Sequence, residues 1–150
     1  MKFHKEIMRQ AWNEMDALLA DYFLRTVAKE GLPPLDMNWR AYIALDQRGD
    51  LALCTARGDD DELLGFVMYL VHPHLHHIGT INASCDILAV HVDARGKGIA
   101  RGLMDYAEPI LRIKGAHYIT HQFRTCYDVE PLFPKVGYRL IEQGYLKELT

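Results

Sequence analysis

Cysteine is scarce in this chain. Cys54, Cys85 and Cys126 are its whole complement among 150 residues. The count is odd and the spacing wide, which excludes a disulfide scaffold and fits reduced thiols in a cytoplasmic protein. Long apolar runs are missing too: no stretch approaches the ~20 consecutive apolar residues of a bilayer-spanning helix. The opening Met1-Lys2-Phe3-His4-Lys5-Glu6 lacks the apolar segment of a secretory signal. Excess positive charge is absent as well. The net charge is -3 at pH 7, so no global basic field draws nucleic acid. Repeats, linkers and low-complexity tracts are lacking, which leaves one domain over 1–150. What remains is an ordinary globular composition, 49% hydrophobic, in a chain long enough to bury a sizeable core.

The apolar pattern predicts the elements. Ile7, Met8, Trp12, Met15, Leu18, Leu19, Tyr22, Phe23 and Val27 fall near one stripe over 7–30, a helix or a pair of helices stopped by Gly31 and Pro33-Pro34. A second helix is predicted over 37–48, capped by Asp36 or Asn38, with Trp39, Tyr42, Ile43 and Leu45 as its apolar face. Leu51–Arg57 and Leu63–Val71 read as strands joined by a charged turn, an antiparallel hairpin. A histidine-rich connection over 72–80 leads to a strand within 81–92. A helix follows to about Ile113, then a strand over His117–Phe123. A short helix over Asp128–Lys135, made irregular by Pro131 and Pro134, precedes a last strand over Tyr138–Leu149. Helices, a meander and one βαβ unit in that order define an α/β fold. Its sheet is mixed, mostly antiparallel, and flanked by helices.

The most specific stretch is Val90-His91-Val92-Asp93-Ala94-Arg95-Gly96-Lys97-Gly98-Ile99-Ala100. Ile87–Val90 is strand-like before it. Ile99, Leu103, Tyr106, Ala107, Ile110 and Leu111 recur at helical spacing after it. A glycine-bearing turn at a helix N-terminus offers free N–H groups and the positive end of the dipole to an anion. Gly96 and Gly98 let a phosphate approach the main chain. Arg95, Lys97 and Arg101 add charge, or are solvated side chains of a plain surface turn. The spacing is neither that of a Walker loop nor that of Gly-x-Gly-x-x-Gly, because Arg101 stands at the third glycine position.

Arg95-x-x-Gly98-x-Ala100 resembles the Arg/Gln-x-x-Gly-x-Gly/Ala signature of the GNAT family of N-acetyltransferases. Leu132-Phe133-Pro134-Lys135-Val136-Gly137-Tyr138 resembles that family's later Leu-Tyr-x-Lys-x-Gly-Phe segment. The likeness covers roughly residues 50–150 and is nearest to short GNAT-like proteins of bacteriophages. It implies two splayed central strands, near 86–92 and 117–123, whose wedge admits the pantetheine arm of acetyl-CoA. Main-chain groups of Leu88, Ala89, Val90, His91 and Val92 would pair with that arm. N–H groups of Arg95, Gly96, Lys97, Gly98, Ile99, Ala100 and Arg101 would hold the pyrophosphate. The N–H of Val90 would polarise the thioester carbonyl.

Acetyl transfer also needs a base for the amine and a proton for the leaving thiolate. Asp86 stands where many members of the family carry an acidic residue acting through water. His91 and His121 are further bases, since imidazole titrates near working pH. The family's acidic tyrosine is Phe133 here, which has no proton to give. Tyr127 is the substitute acid, Tyr138 is expected to pack in place of the family's Phe, and solvent is the remaining proton source.

His72-Pro73-His74-Leu75-His76-His77 admits two readings. Alternating imidazoles could ligate zinc, but Pro73 and the lack of a nearby Cys or carboxylate count against it. The alternative places His74 and His76 at the acceptor mouth, with no metal. Three functions follow: an acetyl-CoA-dependent N-acetyltransferase, a catalytically weak CoA-binding or interaction module, and a histidine-site metal hydrolase. The first is the leading expectation. It implies a small-molecule or peptide amine acceptor, neither nucleic acid nor membrane as partner, and leaves a homodimer open.

Overall fold

The computed structural model describes residues 1–25, 33–123, 130–147 and 149. Five strands lie side by side in chain order: β1 (Lys2–Glu6), β2 (Leu51–Arg57), β3 (Leu63–Pro73), β4 (Ile81–Val90) and β5 (Tyr118–His121). The first four pair antiparallel, and β4 and β5 pair parallel. The parallel pair needs a crossover, which helix α3 (Ile99–Ile113) supplies. Helices α1 (Met8–Arg25) and α2 (Trp39–Arg48) precede the meander.

Strand alternation sorts the core into two layers. Ala52, Cys54, Ala56, Val67, Tyr69, Val71 and Ala83 face α3, packing on Ile99, Leu103, Ala107 and Leu111. Leu51, Leu53, Phe66, Met68 and Ala89 face the other way, onto Met8, Ala11, Met15, Leu18 and Leu19 of α1. Burying each large aliphatic side chain contributes roughly 1.5–3 kcal/mol, so α3 is held by its apolar stripe. Cys54 and Cys85 belong to this packing. Burial pushes the Cys54 thiol up to about 12 and raises that of Cys85 as well, so both stay protonated and inert. Gly65 of β3 lies opposite Val90, and a Cβ there would come within 2.9 Å of the Ala89 carbonyl and 3.3 Å of Ile99. Its missing side chain lets the start of α3 press onto the sheet.

The expected helices over 37–48 and to Ile113 are present. Asn38 is the cap of α2: its side chain accepts from the Ala41 N–H at 3.1 Å. Gly49, at φ 82°, closes that helix. One strand has no counterpart in the sequence pattern, and two expectations need correction. β1 carries only one large apolar residue, Phe3, and its charged sequence gave no strand signal. It is fixed by pairing with β2 and by Arg57, whose guanidinium donates to both carboxylate oxygens of Glu6 at 2.7 and 3.1 Å and to Glu14 of α1. The helix predicted over 128–135 is instead two 3-10 turns in its described part, Glu130–Leu132 and Pro134–Val136. Pro131 and Pro134 each remove a donor. The strand predicted over Tyr138–Leu149 is not formed among the described residues: Leu140, Ile141, Tyr145, Leu146 and Leu149 are exposed.

Candidate active site

Two breaks in the sheet coincide. The register of β4 against β3 runs from Met68↔Ile87 to Tyr69↔Cys85, so Asp86 is an extra residue, a β-bulge. Pairing of β4 with β5 runs from Asn82↔Tyr118 to Cys85↔His121 and ends there. From Asp86 to Val90, β4 has no strand on that side among the described residues. A wedge opens at the bulge, where the family resemblance implied the splayed strands.

The turn after β4 leads into α3. His91 caps a 3-10 turn over Val92–Ala94, its Nδ1 accepting from the Asp93 N–H at 3.3 Å. That bond gives His91 a local structural role. Gly96 and Gly98 both sit at φ 76°, and a Cβ on either would meet nothing within 4 Å. The left-handed backbone, not crowding, requires glycine at both places. The N–H groups of Gly96, Lys97 and Gly98 donate to no main-chain carbonyl among the described residues. Those of Ile99, Ala100 and Arg101 open α3 and have no partner one turn back. The result is a row of donors without main-chain partners, among the described residues, at the positive end of a helix dipole. Lys97 is exposed to solvent. Arg95 turns back, its Nε donating to the Val90 carbonyl at 3.2 Å, and Arg101 pairs with Asp105 at 3.5 Å. Leu88 and Val90 pack on the α3 side, and Ala89 on the α1 side.

Asp86 is exposed at the bulge, and the Tyr42 hydroxyl of α2 donates to its Oδ2 at 2.7 Å. Burial, reinforced by the Asp86 carboxylate, raises the Tyr42 phenol well above its ordinary range. Tyr42 is therefore a fixed donor at any working pH. Its place on the apolar face of α2 gave no hint of this contact, which spans 44 positions in sequence.

His121 ends β5 at the throat of the wedge. Its Nε2 meets the Tyr69 hydroxyl at 3.1 Å, and its Nδ1 is buried with no hydrogen-bond partner among the described residues. Its ring stacks on Phe123 at 5.6 Å and meets Phe133 and Tyr138 at 5.4 and 5.0 Å. Phe133 and Tyr138 are edge-on at 5.5 Å. Burial pushes the Tyr138 phenol up to about 12. The fully buried Tyr69 has one hydroxyl proton, which the neutral imidazole accepts if Nδ1 carries the ring proton. Tyr127 and Cys126 lie outside the described residues.

Burial holds the His121 pKa down to about 4, below the ~6.5 of an unfolded histidine. Between those values the unfolded chain binds the extra proton. Stability is therefore full above about pH 6.5 and falls as pH drops towards 4, by up to about 3 kcal/mol. Urea unfolding of the native chain should weaken more between pH 7 and pH 4.5 than that of His121→Phe. Equal weakening in both would refute the assignment.

The histidine segment is split by the structure. His72 Nε2 meets Ser84 Oγ at 3.0 Å, across the β3–β4 pair. His74 and His76 lie in the exposed turn beyond, ring centroids 5.5 Å apart, and His77 stands 4.7 Å from His74. Among the described residues no three His, Cys, Asp or Glu side chains are grouped to hold a metal ion. Also among them, no helix is long and apolar enough to cross a membrane.

A bulged strand, an adjoining split and a glycine turn at a helix N-terminus meet where β4 runs into α3. The chain belongs to the acetyltransferase (GNAT) family, whose pattern matches residues 12–132. Solved structures of similar fold include the ribosomal-protein-alanine N-acetyltransferase of Brucella melitensis biovar Abortus 2308. It is 23% identical over 99% of this chain and 100% of that one, with a TM-score of 0.72. A transcriptional regulator from Bacillus halodurans C-125 is 20% identical over 99% of each chain, with a TM-score of 0.80. An aminoglycoside acetyltransferase from an uncultured soil metagenomic sample is 19% identical over 99% of this chain and 98% of that one, with a TM-score of 0.74. Identities this low carry the fold and not the acceptor. No protein with a curated description matches the sequence. The narrower likeness to phage proteins has no support among these relatives.

Proposed function

We propose that this protein is an acetyl-CoA-dependent N-acetyltransferase of the cytoplasm, acting on a small-molecule or peptide amine. The observation that carries the proposal is that β4 parts from β5 after Cys85, among the described residues, on the strand that leads into the open Gly96–Gly98 turn. The residues present fit the cofactor: open space over two left-handed glycines and unpaired N–H groups suit a pyrophosphate. Gly96, Lys97, Gly98, Ile99, Ala100 and Arg101 would bind it through their N–H groups, and Arg95 through charge once released from Val90. The free edge of Leu88, Ala89, Val90, His91 and Val92 would take the pantetheine arm as an added strand. Bound there, acetyl-CoA supplies an activated acetyl group.

Asp86 takes the proton of the amine, directly or through water, and Tyr42 holds its carboxylate in place. The N–H of Val90 orients the acetyl carbonyl. Tyr127 or solvent gives a proton to the leaving CoA thiolate; His121, enclosed by rings, keeps the throat dry. His74 and His76 flank the acceptor side without a metal. The family relationship and the acetyltransferases among its structural neighbours support this reading. A second reading, a CoA-binding module with little turnover, rests on Phe133, which brings no hydroxyl to the cluster around His121.

Calorimetric titration with acetyl-CoA and release of free thiol with an amine panel separate the two. Binding with amine-dependent thiol release is the expected result. Binding without release across the panel would favour the module. Absence of binding would overturn both.

A further inference from the structure

A row of four side chains borders the bulge. Asp86 accepts from the Tyr42 hydroxyl at 2.7 Å. The Tyr42 ring lies 5.9 Å from that of Trp39, tilted by 49°. The Trp39 indole N–H donates to Asp16 Oδ1 of α1 at 2.9 Å. Both carboxylates are exposed and both rings are half-buried. Trp12 backs the row, 6.1 Å from Trp39. Each carboxylate is thus fixed by an aromatic donor yet keeps lone pairs free for a second one. An aromatic face attracts a cation, most strongly on indole. A single ammonium group uses only one end of such a row. Two ammonium groups joined by an alkyl chain use both ends, with the methylenes against the rings.

We propose that the acceptor is a linear diamine or longer polyamine lying along Asp86, Tyr42, Trp39 and Asp16. The inference rests on the acetyl-transfer reading and names the substrate class of that same site. The ammonium at the Asp86 end first gives one proton to solvent and becomes a neutral amine. Its nitrogen then bonds to the acetyl carbon and passes a second proton to the Asp86 carboxylate. The carbon–sulfur bond of acetyl-CoA breaks, and this second proton, relayed through solvent, ends on the CoA thiolate. The distal amine stays charged at Asp16 and on the Trp39 face. Asp16 and Trp39 are specificity residues: they hold the part of the acceptor that does not react.

Butylamine, diaminobutane and spermidine, each with acetyl-CoA and the full chain, provide the test. The expected kcat/KM for the better polyamine exceeds that for butylamine by about tenfold or more, and the ratio shrinks in high salt. In Asp16→Asn the amide oxygen still accepts from Trp39, so the fold is kept, but the negative charge is gone. The preference should fall to about threefold or less through a higher KM for the polyamine. A native ratio near one, or an unchanged ratio in Asp16→Asn, would overturn the inference. Transfer to none of the three would overturn it too. Calorimetry with acetyl-CoA and thiol release across a wider amine panel would then show whether the acetyl-transfer reading survives.

Discussion

Gly98→Asp is expected to abolish acetyl-CoA binding in a protein that still folds. The backbone at Gly98 has φ 76° and a Cβ there would meet nothing within 4 Å. Aspartate is among the residues that tolerate the left-handed region, so folding loses only about 1–2 kcal/mol. The carboxylate would stand over the unpaired N–H groups of the turn, satisfying them itself and repelling a pyrophosphate. Affinity should fall by roughly 100-fold or more, since several charge-assisted bonds are lost together. Gly98→Asn separates charge from shape: it should bind acetyl-CoA weakly but measurably. Calorimetry alongside thermal unfolding reads both quantities. Near-native affinity in a folded Gly98→Asp protein would remove the turn from the cofactor site.

Asp86→Asn is expected to cost about 10²–10⁴-fold in kcat, the usual contribution of a positioned general base. Acetyl-CoA affinity should hold, because the bulge and the turn are separate elements. The substitution is conservative for the fold. The amide oxygen still accepts from Tyr42, and the side chain is exposed at the sheet surface. Steady-state rates with a reactive amine, beside calorimetry for acetyl-CoA, give the check. Turnover within a fewfold of native would assign amine deprotonation to solvent.

Much of the fold was legible because local pattern and tertiary environment agree. The apolar stripe of Ile99, Leu103, Ala107 and Leu111 is the stripe that α3 buries. The strand Leu51–Arg57 has the bounds its pattern predicts. β1 was not legible, since its stability comes from a ladder to β2 and from Arg57, over fifty positions away. The tail over 138–149 has a strand-like composition, yet composition does not supply a partner edge, and none pairs with it among the described residues. The glycine turn could be read because its chemistry is consecutive in sequence. The Tyr42–Asp86 and Tyr69–His121 contacts could not, since each joins elements that only the fold brings together. One overlooked signal was local. Ala83 and Cys85 face α3 at odd positions, while Leu88 and Val90 face it at even ones.

That change of parity says what the sheet does and does not need. A β4 shortened by deleting Asp86 would run from Cys85 straight to Ile87, with Ile87 and Ala89 still toward α1 and Leu88 and Val90 still toward α3. Removing any other single residue from the strand's interior would shift part of it onto the wrong layer. Core packing therefore has no use for the residue at 86. The extra position serves the bend it creates, where β4 leaves β5 and the Asp86 carboxylate stands exposed against the Tyr42 hydroxyl.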